Sequence, residues 1–473
     1  MSDDPVLKPI RHFTSPTALL VAGTSVLVFL SGVPSTSART TAPQKPAATA
    51  NPLSQEDQAV TELRRKAEQG DARAQFDLGA IFAQGQSASQ DYAQAVAWWR
   101  KAAEQGLAIA QSTLGYAYER GQGVSQDYAL AVTWFSKAAE QGFTLAQSKL
   151  GFMYDLGRGV QRDYEQAVAW YRKAAEHGDA TAQWNLGDKY ANGQGVTQDC
   201  EQAATWWRKA AEQGLVRAQL DMGFKYATGQ CVPQDDEQAV TWYRRAADRG
   251  LAGAQLSLGA AYAGGRGVPR DDAQAVVWYR KAAVQGNGGA QDLLAYAYAG
   301  GRGIDQDYAQ AVWWYRRAAD QGIAHAQLEL GVRYGSGQGV PQDAEQAVAW
   351  YRKAADQGLA GAQVSLGAAY AIGRGVPKDV AQAALWYRKA AEQGLTGAQY
   401  SLGYMYFTGN GVPQDHVEAY KWMSLAARLA SGEFQKTSAE RRDTIAKEMT
   451  AAQLAEAQKQ ASEWVAAFEK RKR

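Results

Sequence analysis

The chain has 473 residues, 46% hydrophobic and 21% charged, with 50 basic against 48 acidic side chains and a net charge of +2. That balance removes any global electrostatic reason to expect nucleic acid or a strongly acidic partner. Two cysteines are too few for a disulfide scaffold or a cysteine-rich metal site.

Residues 18–33, ALLVAGTSVLVFLSGV, form an uncharged apolar run behind Lys8 and Arg11. The run is short for a span of about 20 residues but fits the apolar core of a secretory signal, and STSA at 35–38 offers a cut after Ala38. Asp3 and Asp4 depart from the basic start of such signals, which keeps an uncleaved anchor open as the alternative. Residues 1–38 are therefore expected to be a signal peptide or an N-terminal membrane anchor. Residues 39–53, rich in Thr, Ala and Pro, read as a disordered linker.

From residue 70 onward one glycine returns every 36 residues, from Gly70, Gly106 and Gly142 to Gly358 and Gly394, without an insertion. Ten repeats therefore run over 71–430, numbered here with Asp71 at position 1. The first half of each repeat carries Ala, Leu and Tyr four residues apart, as in Ala362, Leu366 and Tyr370, which is one stripe of a helix. Gly367 beside the leucine marks a close approach by a neighbouring helix. A glycine found in all ten repeats, Gly85 to Gly409, is expected to end this helix in the left-handed conformation.

The second half opens on Asp in every repeat, from Asp91 to Asp415. Nine of these have Gln or Glu three residues later, the spacing of a capping box. Apolar residues then recur at helical spacing, Arg or Lys falls in the last turns, and the register glycine closes the helix. Each repeat thus reads as a helix–turn–helix whose two short helices are marginal alone. Ten of the fifteen tryptophans share one position, from Trp98 to Trp422. Burying each is worth about 4–6 kcal/mol as an upper figure, and the following repeat is expected to supply the cover.

Residues 54–70 match a lone second helix with Glu62 in the tryptophan position, a polar N-terminal cap. Past Trp422 the register glycine is replaced by Ala430, so the last repeat helix is expected to extend to Ser431 and stop at Gly432. Residues 431–473 then hold capping helices near 437–448 and 451–468, the second opened by Thr450 and Gln453, and a basic tail.

The pattern A-x-x-x-L-G-x-x-Y, G-x-G-V-x-x-D, A-x-x-W-x-x-x-A-A-x-x-G resembles the Sel1-like repeat, a relative of the tetratricopeptide repeat; residues 252–286 carry every element. Ser87 and Cys231 in place of the second loop glycine, Ala295 in place of the helix glycine and Phe82 in place of tyrosine depart from it. The resemblance implies an all-α fold, a right-handed α–α superhelical solenoid. It also implies a non-enzymatic scaffold or adaptor that binds a protein or peptide partner, with no cofactor. Joined to the N-terminal segment, it places the chain outside the cytoplasm, in the bacterial periplasm or anchored to the inner membrane and facing it, as a monomer.

Function is expected where the repeats differ. Positions 3, 6, 7, 10 and 14 fall opposite the Ala–Leu–Tyr stripe and are scrambled between repeats. Aromatic side chains there, Phe76, Tyr116, Phe152, Trp184, Phe224, Tyr296, Tyr400 and Tyr404, are the candidate partner-binding residues on a concave wall of first helices. The competing reading has the same aromatics packing between adjacent first helices.

His12, His177, His325 and His416 occupy different positions without metal-ligand spacing. No nucleophile motif or phosphate loop appears, so neither a catalytic nor a metal site is expected. Cys200 and Cys231, at positions 22 and 17 of neighbouring repeats, would be bridged if their Cα atoms approach within ~7 Å; two unpaired thiols are the alternative. An envelope enzyme or binder acting on a cell-wall glycan or β-lactam is the runner-up. A cysteine-rich branch of the resembling family is linked to β-lactams, but it carries cysteine pairs repeatedly. A cytoplasmic signalling adaptor is the third reading.

Overall fold

The structure, a computed structural model, describes residues 55–85 and 90–472. The expected signal or anchor at 1–38, the linker at 39–53 and Ser87 lie outside the described residues. Among those residues there are 23 helices and no strand. An N-terminal helix, Gln55–Glu68, precedes alternating first (A) and second (B) helices. These run from Ala72–Gln84 and Tyr92–Glu104 in repeat 1 to Thr396–Thr408 and His416–Leu429 in repeat 10. Helices Gly432–Ala446 and Ala451–Lys472 follow.

The chain divides into two compact bodies, up to Thr197 and from Gln198. The first holds the N-terminal helix, repeats 1–3 and the A helix of repeat 4. The second holds the B helix of repeat 4, repeats 5–10 and the two C-terminal helices. Inside each body successive helices pack on one another as the stacked hairpins of an α-solenoid.

Helix ends follow from particular residues. Each of the ten aspartates is extended, with φ between −137° and −153°, and its carboxylate accepts a backbone N–H of the first turn. Asp343 accepts from Gln346 at 2.9 Å. The reciprocal bond of a capping box is present at Thr450, whose N–H donates to Gln453 Oε1 at 2.9 Å. A helices end on a left-handed glycine, φ 63° to 75°, from Gly85 to Gly409.

Two residues later a second left-handed glycine has a different reason to be glycine. A Cβ at Gly159 would stand 2.2 Å from the Tyr128 carbonyl oxygen, at the start of the preceding B helix. Position 17 thus touches position 22 of the repeat before it, and this contact recurs at Gly123, Gly195, Gly267, Gly303, Gly339, Gly375 and Gly411. Cys231 occupies this position and is left-handed too, φ 60°. It is bonded to Cys200, with Cα atoms 4.7 Å apart. The bridge therefore spans a contact that the repeat makes anyway.

The core lies between the helices of each hairpin and between neighbouring hairpins. The helix glycine admits a ring from its own B helix: a Cβ at Gly115 would be 2.8 Å from Phe135, and one at Gly151 2.7 Å from Tyr171. Phe135 and Tyr171 are fully buried. The tryptophan row faces the other way from the expectation. Trp278 joins the cluster made by the B helix of repeat 5 and the A helix of repeat 6, and Trp386 joins that of repeats 8 and 9. Trp98 packs on the N-terminal helix. These indoles thus join the cluster that their own A helix makes with the preceding repeat, and Trp422 in the last repeat also meets the final helix. At eight of the ten tryptophans, Lys or Arg three residues on lies over the ring, as Lys353 does 3.7 Å from the Trp350 centroid.

A buried glutamine row, which no helical pattern signals, locks neighbours together. Gln327 Nε2 donates to the Ala319 carbonyl of the preceding B helix at 3.1 Å, and its Oε1 accepts from Gln357 of its own B helix at 2.8 Å. The same pair of bonds is made by Gln75, Gln111, Gln255, Gln291 and Gln363. Leaving a buried amide donor unpaired would be destabilising by about 1–3 kcal/mol, so the bond to the preceding helix, made also by Gln147, Gln219 and Gln399, favours this stacking register even though the Oε1 of those three has no partner.

The C-terminal end differs from expectation. Without a glycine at 430 the last B helix stops at Leu429, Ser431 is extended, and Gly432 opens the next helix instead of ending the last. That next helix starts at 432, five residues before the expected 437. The final helix places Val465 in the core and Trp464 edge-on to Trp422, ring centroids 6.3 Å apart. No described helix is long and apolar enough to cross a membrane.

Candidate partner-binding face

The A helices place positions 6 and 10 on one side, and the structure separates the two rows. Position 6 meets position 3 of the next A helix. A Cβ at Gly253 would touch Leu220 at 3.3 Å, and one at Gly361 would touch Leu328 at 3.2 Å. Between repeats 7 and 8 the contact is ionic: His325 Nδ1 lies 2.9 Å from both carboxylate oxygens of Asp292. Tyr400 stacks at a tilt on Phe434 of helix Gly432–Ala446, centroids 5.4 Å apart. Tyr400 is thereby partly covered by the chain's own C-terminal helix. Phe76 and Trp184, in the same row, are half-buried, and Arg73 lies 5.6 Å from the Phe76 ring.

Position 10 is more open. Phe224 is 51% and Tyr404 43% exposed, large for aromatic side chains. Tyr116, Phe152 and Tyr296 are half-buried, each under a cation from its neighbourhood. Lys149 is shared: its Nζ is 3.2 Å from Glu119, 4.8 Å from the Tyr116 centroid and 5.5 Å from that of Phe152. Tyr116 also meets Phe135 edge-on at 5.2 Å. Burial first, then the Glu119 carboxylate, push its hydroxyl far above the ordinary tyrosine range, so it stays a neutral donor. One repeat on, Lys189 pairs with Asp155 and lies 4.9 Å from the Tyr164 ring. The first body thus sets out rings and ion pairs in alternation along its A helices.

The His325–Asp292 pair makes one face of the second body sensitive to pH. Its hydrogen bond to Asp292 raises the His325 pKa against the opposing effect of burial, with Glu329 adding in the same direction. A raised folded-state pKa gives stability that is full below the unfolded value of about 6.5 and is lost as pH rises through the folded value. His325→Gln is therefore expected to be most destabilising, relative to the parent, at about pH 5, and less so toward pH 9. Urea unfolding across that range measures it; a difference independent of pH refutes the ion pair's contribution.

Among the described residues no group of three or more His, Cys, Asp or Glu side chains could hold a metal ion. His177 ends the B helix of repeat 3, and His416 packs beside Phe407 at 5.7 Å. His12 lies outside the described residues.

A Sel1 repeat profile matches ten consecutive segments, 72–107, 108–143, 144–179, 180–215, 216–251, 252–287, 289–323, 324–359, 360–395 and 396–431. No curated protein matches the chain. Among solved structures it is similar to c5321, described as a protective antigen present in uropathogenic Escherichia coli strains and displaying an SLR fold. The two are 38% identical over 86% of this chain and 95% of that one, with a TM-score of 0.60. It is also similar to a Sel1 repeat protein from Oxalobacter formigenes, 35% identical over 67% of this chain and 95% of that one, TM-score 0.52. With ten matched repeats and that identity, the chain belongs to the Sel1 repeat family.

Proposed function

We propose that the chain is an exported adaptor that binds a protein or peptide partner along the face formed by its A helices and performs no chemistry of its own. The observation that carries this reading is the contrast within one helix. The buried alanine and glutamine positions of the A helix repeat from unit to unit, while position 10 changes at every repeat and leaves rings such as Phe224 and Tyr404 in water. Aromatic anchors beside cations suit a peptide or helix laid across them. The description of the Escherichia coli relative as a protective antigen supports an exported location for this chain. The apolar run at 18–33 supports it independently.

The test is capture of a partner from envelope extract of the native host by the full chain, compared with Phe224→Ala/Tyr404→Ala. Loss of two anchors of about 2 kcal/mol each would weaken capture by well over tenfold, with circular dichroism unchanged. Equal capture by both proteins overturns the assignment to this face, and fractionation into the cytoplasm overturns export.

A further inference from the structure

Position 22, the first residue of the B helix, lies at the contact between neighbouring repeats, and its side chain is accommodated in several distinct ways. Where it is tyrosine, a fixed frame surrounds it. At Tyr128 the Gln126 amide donates both to the Glu119 carbonyl at 2.9 Å and to the tyrosine hydroxyl at 3.1 Å. Arg158 of the next repeat lies 5.8 Å from the ring centroid. Tyr92 and Tyr308 receive the same glutamine bond at 3.1 Å. Where tyrosine is absent, other chemistry takes its place. Cys200 is bridged to Cys231, and Asp236 pairs with Arg266 at 3.0 Å.

In repeat 8 the frame is present without its occupant. Gln342 donates to the Gly335 carbonyl at 2.8 Å, as Gln126 does to Glu119. Arg374 stands where Arg158 and Arg266 stand, and donates to the same Gly335 carbonyl at 2.5 Å. Between them position 22 is Ala344, and the facing A helix presents Ala368 and Ala369. At the Tyr128 junction the facing residues are Phe152 and Met153. The result is a half-open cavity of about 230 Å³, floored by Val348 and Tyr351 and flanked at its edge by Ile372, which is 69% exposed.

We propose that this cavity is a binding site for a phenol ring, the tyrosine side chain of a bound protein. The incoming ring fills the space that a tyrosine at position 22 fills in other repeats and that Ala344 leaves open. Its hydroxyl accepts from Gln342, and Arg374 covers its face. The carrier of the tyrosine rests on the protein-binding reading above; the ring site itself does not.

The probe is p-cresol, titrated into the full chain by ligand-observed NMR, with toluene as the ring that lacks the hydroxyl. Ala344→Tyr closes the cavity with the residue type the repeat uses elsewhere, so its thermal midpoint is expected to equal or exceed the parent's. Saturable p-cresol binding is expected in the parent, weakened at least about tenfold in the variant, since the filled cavity has no room for a second ring. Ala369→Met, which introduces the residue type found at 153, fills the cavity from the opposite helix and serves if Ala344→Tyr misfolds. No saturable binding by the parent, or undiminished binding by a folded filled variant, overturns the site. Toluene binding as tight as p-cresol overturns recognition of the hydroxyl. Where p-cresol binding is lost but partner capture is unchanged in Ala344→Tyr, the ring site stands and the tyrosine-bearing partner falls.

Discussion

Gly159→Ala is expected to destabilise the first body by about 2–5 kcal/mol, the sum of holding a side chain in the left-handed region and of the backbone shift forced by the new atom. The two contributions separate inside this chain. Gly142 is also left-handed, φ 82°, but a Cβ there meets nothing within 4 Å, whereas at Gly159 it meets the Tyr128 carbonyl at 2.2 Å. Gly142→Ala should therefore lose only the conformational part, about 1–2 kcal/mol. The measurement is urea unfolding of both variants, with amide exchange over residues 128–160 to locate the opening, because a stack of repeats need not unfold in one step. Equal losses at the two positions would show that the close approach of neighbouring repeats is not what requires glycine in the loop.

Phe135→Ala should lower stability by about 3–5 kcal/mol, the range for removing a buried aromatic ring and leaving its cavity. Phe135 is fully buried beneath Gly115 and edge-on to Tyr116. The missing side chain at Gly115 is what makes room for the ring, so the A helix has no side chain at that point to fill the void. The double variant Gly115→Leu/Phe135→Ala would restore volume from the opposite helix. Recovery of at least half the loss is expected, and no recovery would mean that ring geometry, rather than volume, holds the hairpin. A loss below about 1 kcal/mol for Phe135→Ala, typical of a side chain that remains partly solvated, would contradict the burial on which the hairpin core depends.

Helix ends were the most legible part of the sequence because their chemistry is local. An aspartate caps the backbone three residues on and a glycine turns left-handed where it stands, so Asp343 and Gly337 act as their spacing implies. What faces what was less legible, because it is tertiary. The constant tryptophan drew attention to itself, yet the row beside it is as fully buried and varies in identity, from Trp99 to Phe135 to Tyr171. Its common property is filling the space above a glycine. The glutamine at position 5 is as constant as the tryptophan, but its carbonyl partner lies in the preceding repeat, beyond the reach of any pattern within one helix. At the C-terminus Ala430 removed the left-handed stop, and the local signal at Gly432 belonged to the next helix.

The candidate face was legible as a region and not as a set of contacts. Counting around the helix placed positions 6 and 10 together. Only the packing separates a row that meets its neighbours, as Tyr400 meets Phe434, from a row that includes Phe224 in water. The opening beside Ala344 could be read from sequence only by knowing that position 22 faces the next repeat, since alanine on a helix is otherwise unremarked.

The bond between Cys200 and Cys231 has a mechanical consequence. Under tension, a row of hairpins yields one after another, each releasing slack. The 31-residue stretch closed by this bond cannot lengthen while the bond is intact, withholding roughly 100 Å of extended chain at ~3.5 Å per residue. Force would pass around the loop through the sulfur atoms, leaving one link of the second body inextensible until a reductant reaches it.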